Sequence, residues 1–233
     1  MPFLYETHLH TLPVSRCAKY DVRANLQFYK NLGYEGVFIT NHFIDVPSDK
    51  RWLPTYEENI NYFCTDYEEG LQIGEELGIK VYFGWETTYK GTDFLIYGLD
   101  KTWLLAHPEI MEMKKREQLA FFMEQGALVI QAHPFREAKY IDHIRLFPRS
   151  VHGVEIINGC RTDFENRMAA QYAKNYDLLP FAGSDNHRAL DQPMLAGMQF
   201  ETPILNEADF AERIKIGEGE VFSMKNPLLE QPE

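Results

Sequence analysis

Seven short apolar runs punctuate this chain, and helical patterns separate several of them. The runs are Phe3–Thr7, Gly36–Thr40, Ile79–Gly84, Phe94–Leu99, Ala127–Gln131, Val154–Ile157 and Leu178–Ala182. They are rich in Val, Ile, Phe and Tyr, as strands buried on both faces should be. Tyr56, Ile60, Phe63, Cys64, Tyr67 and Leu71 mark one helical face, with a Thr55–Glu58 capping box before it and Gly78 to end it. Thr162 and Glu165 open a second helix through Phe164, Met168 and Tyr172, and Asp21 caps a shorter one reaching about Leu32. A helix is also expected over Met113–Gln125. Beyond Gly197 the spacing predicts a strand at Met198–Glu201, a helix near Asn206–Ile216 and a strand at Glu220–Met224. Repeated strand–helix units imply a parallel sheet, and about seven of them imply an α/β barrel rather than an open sheet.

The polar residues strengthen the barrel reading. The first run ends in His8-Leu9-His10, the second in Asn41-His42 and the third in Trp85-Glu86. The fifth ends in Ala132-His133-Pro134 and the seventh in Ser184-Asp185-Asn186-His187, while the fourth begins with Asp93. In a β/α barrel, side chains at the carboxyl ends of separate strands converge on one face. Residues two apart on an extended strand face the same way, so His8 with His10, and Asp185 with His187, can each reach one site. Imidazoles and carboxylates are donors suited to Zn²⁺, Mn²⁺ or Fe²⁺.

Composition limits the partners. Lys and Arg number 23 against 35 Asp and Glu, a net charge of −12. That argues against a non-specific binder of nucleic acid or anionic membrane, without forbidding a local positive pocket. The three cysteines, Cys17, Cys64 and Cys160, lie far apart and fit reduced thiols in a cytoplasmic protein. No signal-peptide core or membrane-spanning run is visible. No glycine loop of the nucleotide-binding kinds is present.

Taken in order, His8-Leu9-His10-Thr11, Thr40-Asn41-His42, Gly84-Trp85-Glu86, Ala132-His133-Pro134 and Gly183-Ser184-Asp185-Asn186-His187 resemble the motifs of the PHP (polymerase and histidinol phosphatase) family of metal-dependent phosphoesterases. The resemblance covers the chain from Phe3 to about His187. It implies a distorted (β/α)₇ TIM-like barrel with two or three divalent ions, Zn, Mn or Fe, at the carboxyl-end face. It implies that His8, His10, Glu86 and Asp185 hold a first ion, that Glu86 bridges to a second also held by His133, and that His42 and His187 hold a third. Where the family has a histidine opening the following strand, this chain has Asp93, carried as a second-ion ligand. The family usually places an acid or histidine a few residues beyond the paired histidines. Leu12–Cys17 contains neither, and Cys17 is expected to be a buried, unreactive thiol. Glu155 resembles an acid of the family, either orienting a ligand or forming a buried ion pair.

The implied reaction is hydrolysis of a phosphate ester by metal-activated water, with His187, His42 or Asp185 as candidate proton donor. Arg16, Arg136, Arg161 and Arg188 follow strand ends and are candidate clamps for substrate phosphate. A small phosphorylated metabolite is expected, and long nucleic acid is disfavoured. Trp52, in the loop Phe43–Pro54, is a candidate either to line the pocket or to pack on a helix. His107, His143 and His152 fall outside the motifs and are expected to be structural. Two rival readings remain: a related metal-dependent amidohydrolase, and a non-catalytic metal-binding regulatory domain. The whole chain, 1–233, is read as one domain.

Overall fold

The computed structural model describes residues 2–43 and 53–229. Its strands are β1 (Phe3–Leu9), β2 (Gly36–Ile39), β3 (Lys80–Tyr89), β4 (Thr92–Tyr97), β5 (Leu128–Ala132), β6 (Gly153–Asn158), β7 (Leu179–Gly183), β8 (Met194–Phe200) and β9 (Glu220–Lys225). Its helices are α1 (Val22–Asn31), α2 (Tyr56–Phe63), α3 (Thr65–Leu77), α4 (Lys101–Ala106), α5 (Lys115–Glu124), α6 (Asp163–Tyr176) and α7 (Glu207–Lys215). The capping signals act as expected. Asp21 accepts the N–H of Ala24, and Thr55–Glu58 and Thr162–Glu165 each close a reciprocal capping box.

The strands form one nine-stranded sheet in the order β7-β6-β5-β4-β3-β2-β1-β8-β9. It curls until the end of β7 meets β1. Asn186, just past β7, donates its N–H to the carbonyl of His8 and accepts the N–H of His10, both at 3.0 Å. The result is a nearly closed TIM-like barrel, with more strands than the seven expected.

Nor is the sheet uniformly parallel. β4 runs antiparallel to β3 and β5, and β8 runs antiparallel to β1 and β9. The reason for the first reversal is local. Lys90 and Gly91 take φ of 51° and 78°. Two successive positive φ values make the two-residue hairpin turn whose twist suits antiparallel strands. Such turns favour Asn-Gly or Asp-Gly, so Lys-Gly carries a weak signal in sequence. One consequence is that Glu86 lies within β3 rather than at its end.

The amino end of the barrel is filled by aromatic rings. Tyr5, Phe38, Tyr82, Tyr97 and Phe181 pack there around Phe210, which α7 inserts from below. The Phe210 ring lies 4.3 Å from Phe38 and 5.3 Å from Tyr97, centroid to centroid. Each such ring contributes roughly 1.5–3 kcal/mol by leaving water. This apolar floor leaves the opposite end of the barrel free for polar side chains.

Candidate metal centre

At the carboxyl-end face, strand ends deliver the predicted residues to one place. His8 comes from β1 and His10 from just beyond it, His42 from beyond β2, Glu86 from β3, His133 from directly after β5, and Asp185 and His187 from beyond β7. Asp93 comes from the start of β4. Because β4 is reversed, its start lies level with the ends of its neighbours, pairing Thr88 on one side and Ala132 on the other. An acid that opens a strand thus reaches the same face as histidines that end theirs.

Glu86 is the hub. Its carboxylate stands 2.7 Å from His42, 3.3 Å from His133, 3.4 Å from His8 and 3.6 Å from His10. Asp185 stands 3.6 Å from His8, 3.5 Å from His10 and 3.3 Å from His187. The donor atoms gather in three overlapping groups, each within 4.8 Å: His8, Glu86 and His133; His8, His10 and Asp185; His10, His42 and His187. One buried oxygen of Asp93 has no hydrogen-bond donor, and Oε2 of Glu86 faces Nδ1 of His42 at 2.7 Å. Buried carboxylate oxygens facing convergent imidazole nitrogens are what nitrogen- and oxygen-ligated divalent ions require. The residues fit such ions.

The charges are strongly coupled. Burial would raise the pKa of Glu86, but His42 and His8 hold it well below the usual carboxylate range. Asp185 is depressed in the same way against burial, chiefly by His8. Burial lowers His8, yet Glu155, Asp185 and Glu86 raise it well above the ordinary histidine value. His10 goes the other way, held neutral by burial and by the neighbouring His187 and His42. Asp93 is raised by burial and by the charge of Glu86.

A second layer positions these groups. Glu155, fully buried in β6, accepts Nδ1–H of His8 at 2.8 Å, the backbone N–H of His133 at 3.0 Å and the side-chain amide of Asn158 at 2.8 Å. His133 and Asp185 both take positive φ, 26° and 53°. Non-glycine residues adopt that conformation only where their surroundings enforce it. Gly183 is required where β1 and β7 touch, since a Cβ there would lie 2.4 Å from Cβ of His8.

Sequence reasoning missed several supports. Glu6 is buried and accepts the N–H groups of His8 and Ser184 and the hydroxyl of Tyr29; burial pushes its carboxyl up to about 7. Asp66 of α3 accepts from Thr11, Asn41 and Val14, tying the turn after β1 to the end of β2. The only sequence sign of Glu6 was an acid inside an apolar strand. Asp66 had none, because it reads as one more polar position on an exposed helix face.

A cavity of about 660 Å³ opens onto the cluster. Arg16, Arg136, Arg161 and Arg188 all line it, and Lys19 joins them. Arg136 is committed to Asp93 at 3.2 Å and stacks on Tyr140. The buried Nε of Arg161 has no acceptor.

One expectation fails. Cys17 is exposed, not buried, and lines the cavity. Partial burial would raise its thiol, but His187 and His42 beside the sulfur bring it down to about 6. A cysteine predicted to be inert from composition alone therefore sits against two of the candidate ligands. Trp52 lies outside the described residues. His107 pairs with Glu109 and His152 accepts the N–H of Val129, both away from the cluster. No helix among the described residues is long and apolar enough to cross a membrane.

Comparison with known proteins agrees with this fold. Residues 163–218 match the PHP-associated family model. The chain is 33% identical to the uncharacterised protein MJ0417 of Methanocaldococcus jannaschii over 129 residues, 50% of this chain and 54% of that one, so it spans about half the length of the relative it matches. Its fold is similar to that of a two-domain protein from Bacteroides vulgatus named for a predicted PHP-like metal-dependent phosphoesterase, at a TM-score of 0.68 and 14% identity, covering 95% of this chain and 65% of that one. It is also similar to an amidohydrolase from Chromobacterium violaceum solved with sulfate, at a TM-score of 0.54 and 11% identity, covering 85% and 92%. With its ordered histidine and acid motifs gathered on one face of such a barrel, the chain is similar to PHP-like proteins in fold and in the segment that matches the PHP-associated model.

Proposed function

We propose that the protein is a metal-dependent hydrolase that cleaves a phosphate ester of a small substrate. The observation that carries this reading is the position of Glu86, one buried carboxylate within 3.6 Å of four imidazoles. A single acid so placed would be shared between two divalent ions when both are bound. In this reading His8, His10, Glu86 and Asp185 hold one ion, and Glu86, His133 and Asp93 hold a second. His42 and His187 either hold a third or deliver a proton to the leaving oxygen, a task for which Asp185 is the other candidate. Divalent ions bound by these residues would supply Lewis acidity and lower the pKa of a nearby water.

The chain's own groups do the rest. Arg16, Arg161 and Arg188 face the cavity, where planar guanidinium groups match phosphoryl oxygens and neutralise charge that builds on them. Arg136, held by Asp93, is placed to report substrate charge to the ligand set. The cavity volume suits a small molecule rather than a polymer. This cationic lining favours phosphorus over an amide carbonyl, which carries no charge to clamp. Of the similar structures, the Chromobacterium protein is named an amidohydrolase, so amide cleavage is the second outcome to test.

The test is a screen of phosphorylated metabolites and, in parallel, of simple amides, with the protein supplied with Mn²⁺, Zn²⁺ or Fe²⁺. Turnover of a phosphomonoester or diester is expected. Turnover of amides alone would replace this reading with the second. Stoichiometric metal uptake with every phosphoester left intact would remove it in favour of a regulatory metal-binding role.

A further inference from the structure

Asp93 belongs to none of the three groups of converging donor atoms. The reason lies on the loop after β5. Arg136 donates from Nη1 to Oδ2 of Asp93 at 3.2 Å, and Nε2 of His133 faces the same oxygen from 3.8 Å. Asp93 is buried, whereas the Arg136 side chain is 26% exposed and lines the cavity. The carboxylate therefore has a cationic partner between itself and the open space.

The guanidinium is held there by its surroundings. The backbone N–H of Arg136 donates to the carbonyl of His133 at 2.9 Å, and that of Glu137 donates to the Glu165 carboxylate at 3.0 Å. Nη2 donates to the hydroxyl of Tyr140, whose ring centroid lies 5.6 Å from the guanidinium carbon. Arg145 fastens the far part of the loop, donating to the carbonyl of Lys90 at 3.1 Å on the turn that leads to Asp93. Glu86 and Asp185 are not shared in this way. Among the described residues, their cationic neighbours within ion-pair distance are histidines, with no lysine or arginine. A guanidinium and a divalent ion on one carboxylate repel each other, and low local dielectric strengthens the repulsion. An anion bound to Arg136 from the cavity cancels its charge, and Asp93 and Tyr140 leave further guanidinium N–H groups to receive it.

We propose that Arg136 competes with the second ion for Asp93, so that this ion binds tightly only when an oxyanion occupies the cavity. This rests on the metal-centre reading given above and goes beyond it, because it makes the second ion and a phosphate-bearing ligand depend on each other. Linkage is reciprocal, so the ion strengthens oxyanion binding by the same factor. The ion held by His8, His10, Glu86 and Asp185 has no such competitor and is the resident one. Arg136 is then a positioning residue that acts through Asp93, and the centre is completed when its ligand arrives.

Calorimetric titration of the full chain with Mn²⁺, after stripping by chelator, reads the ions without turnover. Wild type should show a tight and a weak equivalent. Inorganic sulfate, which pairs with guanidinium but ligates Mn²⁺ poorly, should tighten the weak one by about tenfold, within the usual range of coupling between sites. Arg136→Gln should bind the weak equivalent about tenfold more tightly than wild type without sulfate, and sulfate should then add little. Arg136→Lys keeps the charge and should leave that equivalent weak. Asp93→Asn should lose the weak equivalent and keep the tight one, which in every variant shows that the fold persists. A wild-type weak equivalent that ignores sulfate overturns the competition. So does an Arg136→Gln variant that keeps the tight equivalent but binds the weak one no better, or an Asp93→Asn variant that binds both ions as wild type does. Those results leave the metal centre standing. Failure of wild type to bind Mn²⁺ at all overturns both.

Discussion

Glu155 and His8 form a buried pair 2.8 Å apart in which the carboxylate fixes Nδ1 as the donor and so turns Nε2 of His8 toward Glu86 and Asp185. The other oxygen of Glu155 holds the backbone of His133, so one acid on β6 aligns ligands from β1 and β5. Outer partners of this kind typically account for a 10–100-fold range in metal affinity. Glu155→Gln, which keeps the shape but removes the charge, should weaken metal binding by about that factor while leaving the far-ultraviolet circular dichroism unchanged. Wild-type affinity measured by calorimetry would show that Glu155 is only a packing residue.

Glu86 is predicted to matter more, because it is shared. Glu86→Gln places a neutral amide among four imidazoles. The variant should retain less metal by elemental analysis, with about one ion lost from a shared pair, and any hydrolytic activity should fall to background. Undiminished metal content would remove Glu86 from its bridging place.

Gly183 carries a steric prediction. An alanine methyl would meet Cβ of His8 at 2.4 Å and Oε1 of Glu155 at 2.9 Å. Neither neighbour is free to retreat, since both belong to strands of the closed barrel. Gly183→Ala should destabilise the fold by about 1–3 kcal/mol, the usual cost of overpacking, and should also lower metal affinity by displacing His8. Thermal denaturation with and without metal checks both parts, and an unchanged midpoint would contradict the contact.

Glu165 gives a pH dependence away from the cluster. It closes the capping box of α6 and also accepts the N–H of Glu137 at 3.0 Å, pinning the loop after His133. Burial raises its pKa, but the N–H groups of Thr162 and Glu137 outweigh that and leave it below the ordinary 4.5. With the folded value below the unfolded one, the stabilisation is present above pH 4.5 and is lost as pH falls through the folded value. Glu165→Gln should therefore be less stable than wild type by about 1 kcal/mol near neutrality, and the gap should close in acid. A gap that widens in acid reverses the sign and refutes the argument.

Phe210 tests the floor of the barrel. Its ring packs on Phe38, Tyr97, Phe181 and Phe200. Phe210→Ala should cost about 3–5 kcal/mol in denaturant unfolding. It lies within the 163–218 match, so this segment is expected to act through the barrel's stability. Metal affinity of the folded variant should stay within about threefold of wild type.

The sequence by itself determined the units and their inventory. Apolar runs of Val, Ile and Phe mark buried strands because only a covered sheet tolerates them on both faces, and Thr55, Thr162 and Asp21 mark helix starts because their oxygens satisfy the first free N–H groups. His8, His10, His42, Glu86, Asp93, His133, Asp185 and His187 were legible as a set because each lies near the edge of an apolar run, a local property. What only the tertiary structure decided depends on pairing between distant segments. The direction of β4 rests on two backbone angles at Lys90 and Gly91, and that reversal is what brings Asp93 level with His133. Glu6 and Asp66 acquire partners only when β7, α1 and the β1 turn are folded against them. Cys17 looked inert because a thiol's environment is set by what surrounds it. Closure of the barrel between His8 and Asn186 brings His187 beside it, and proximity to two imidazoles changes its chemistry.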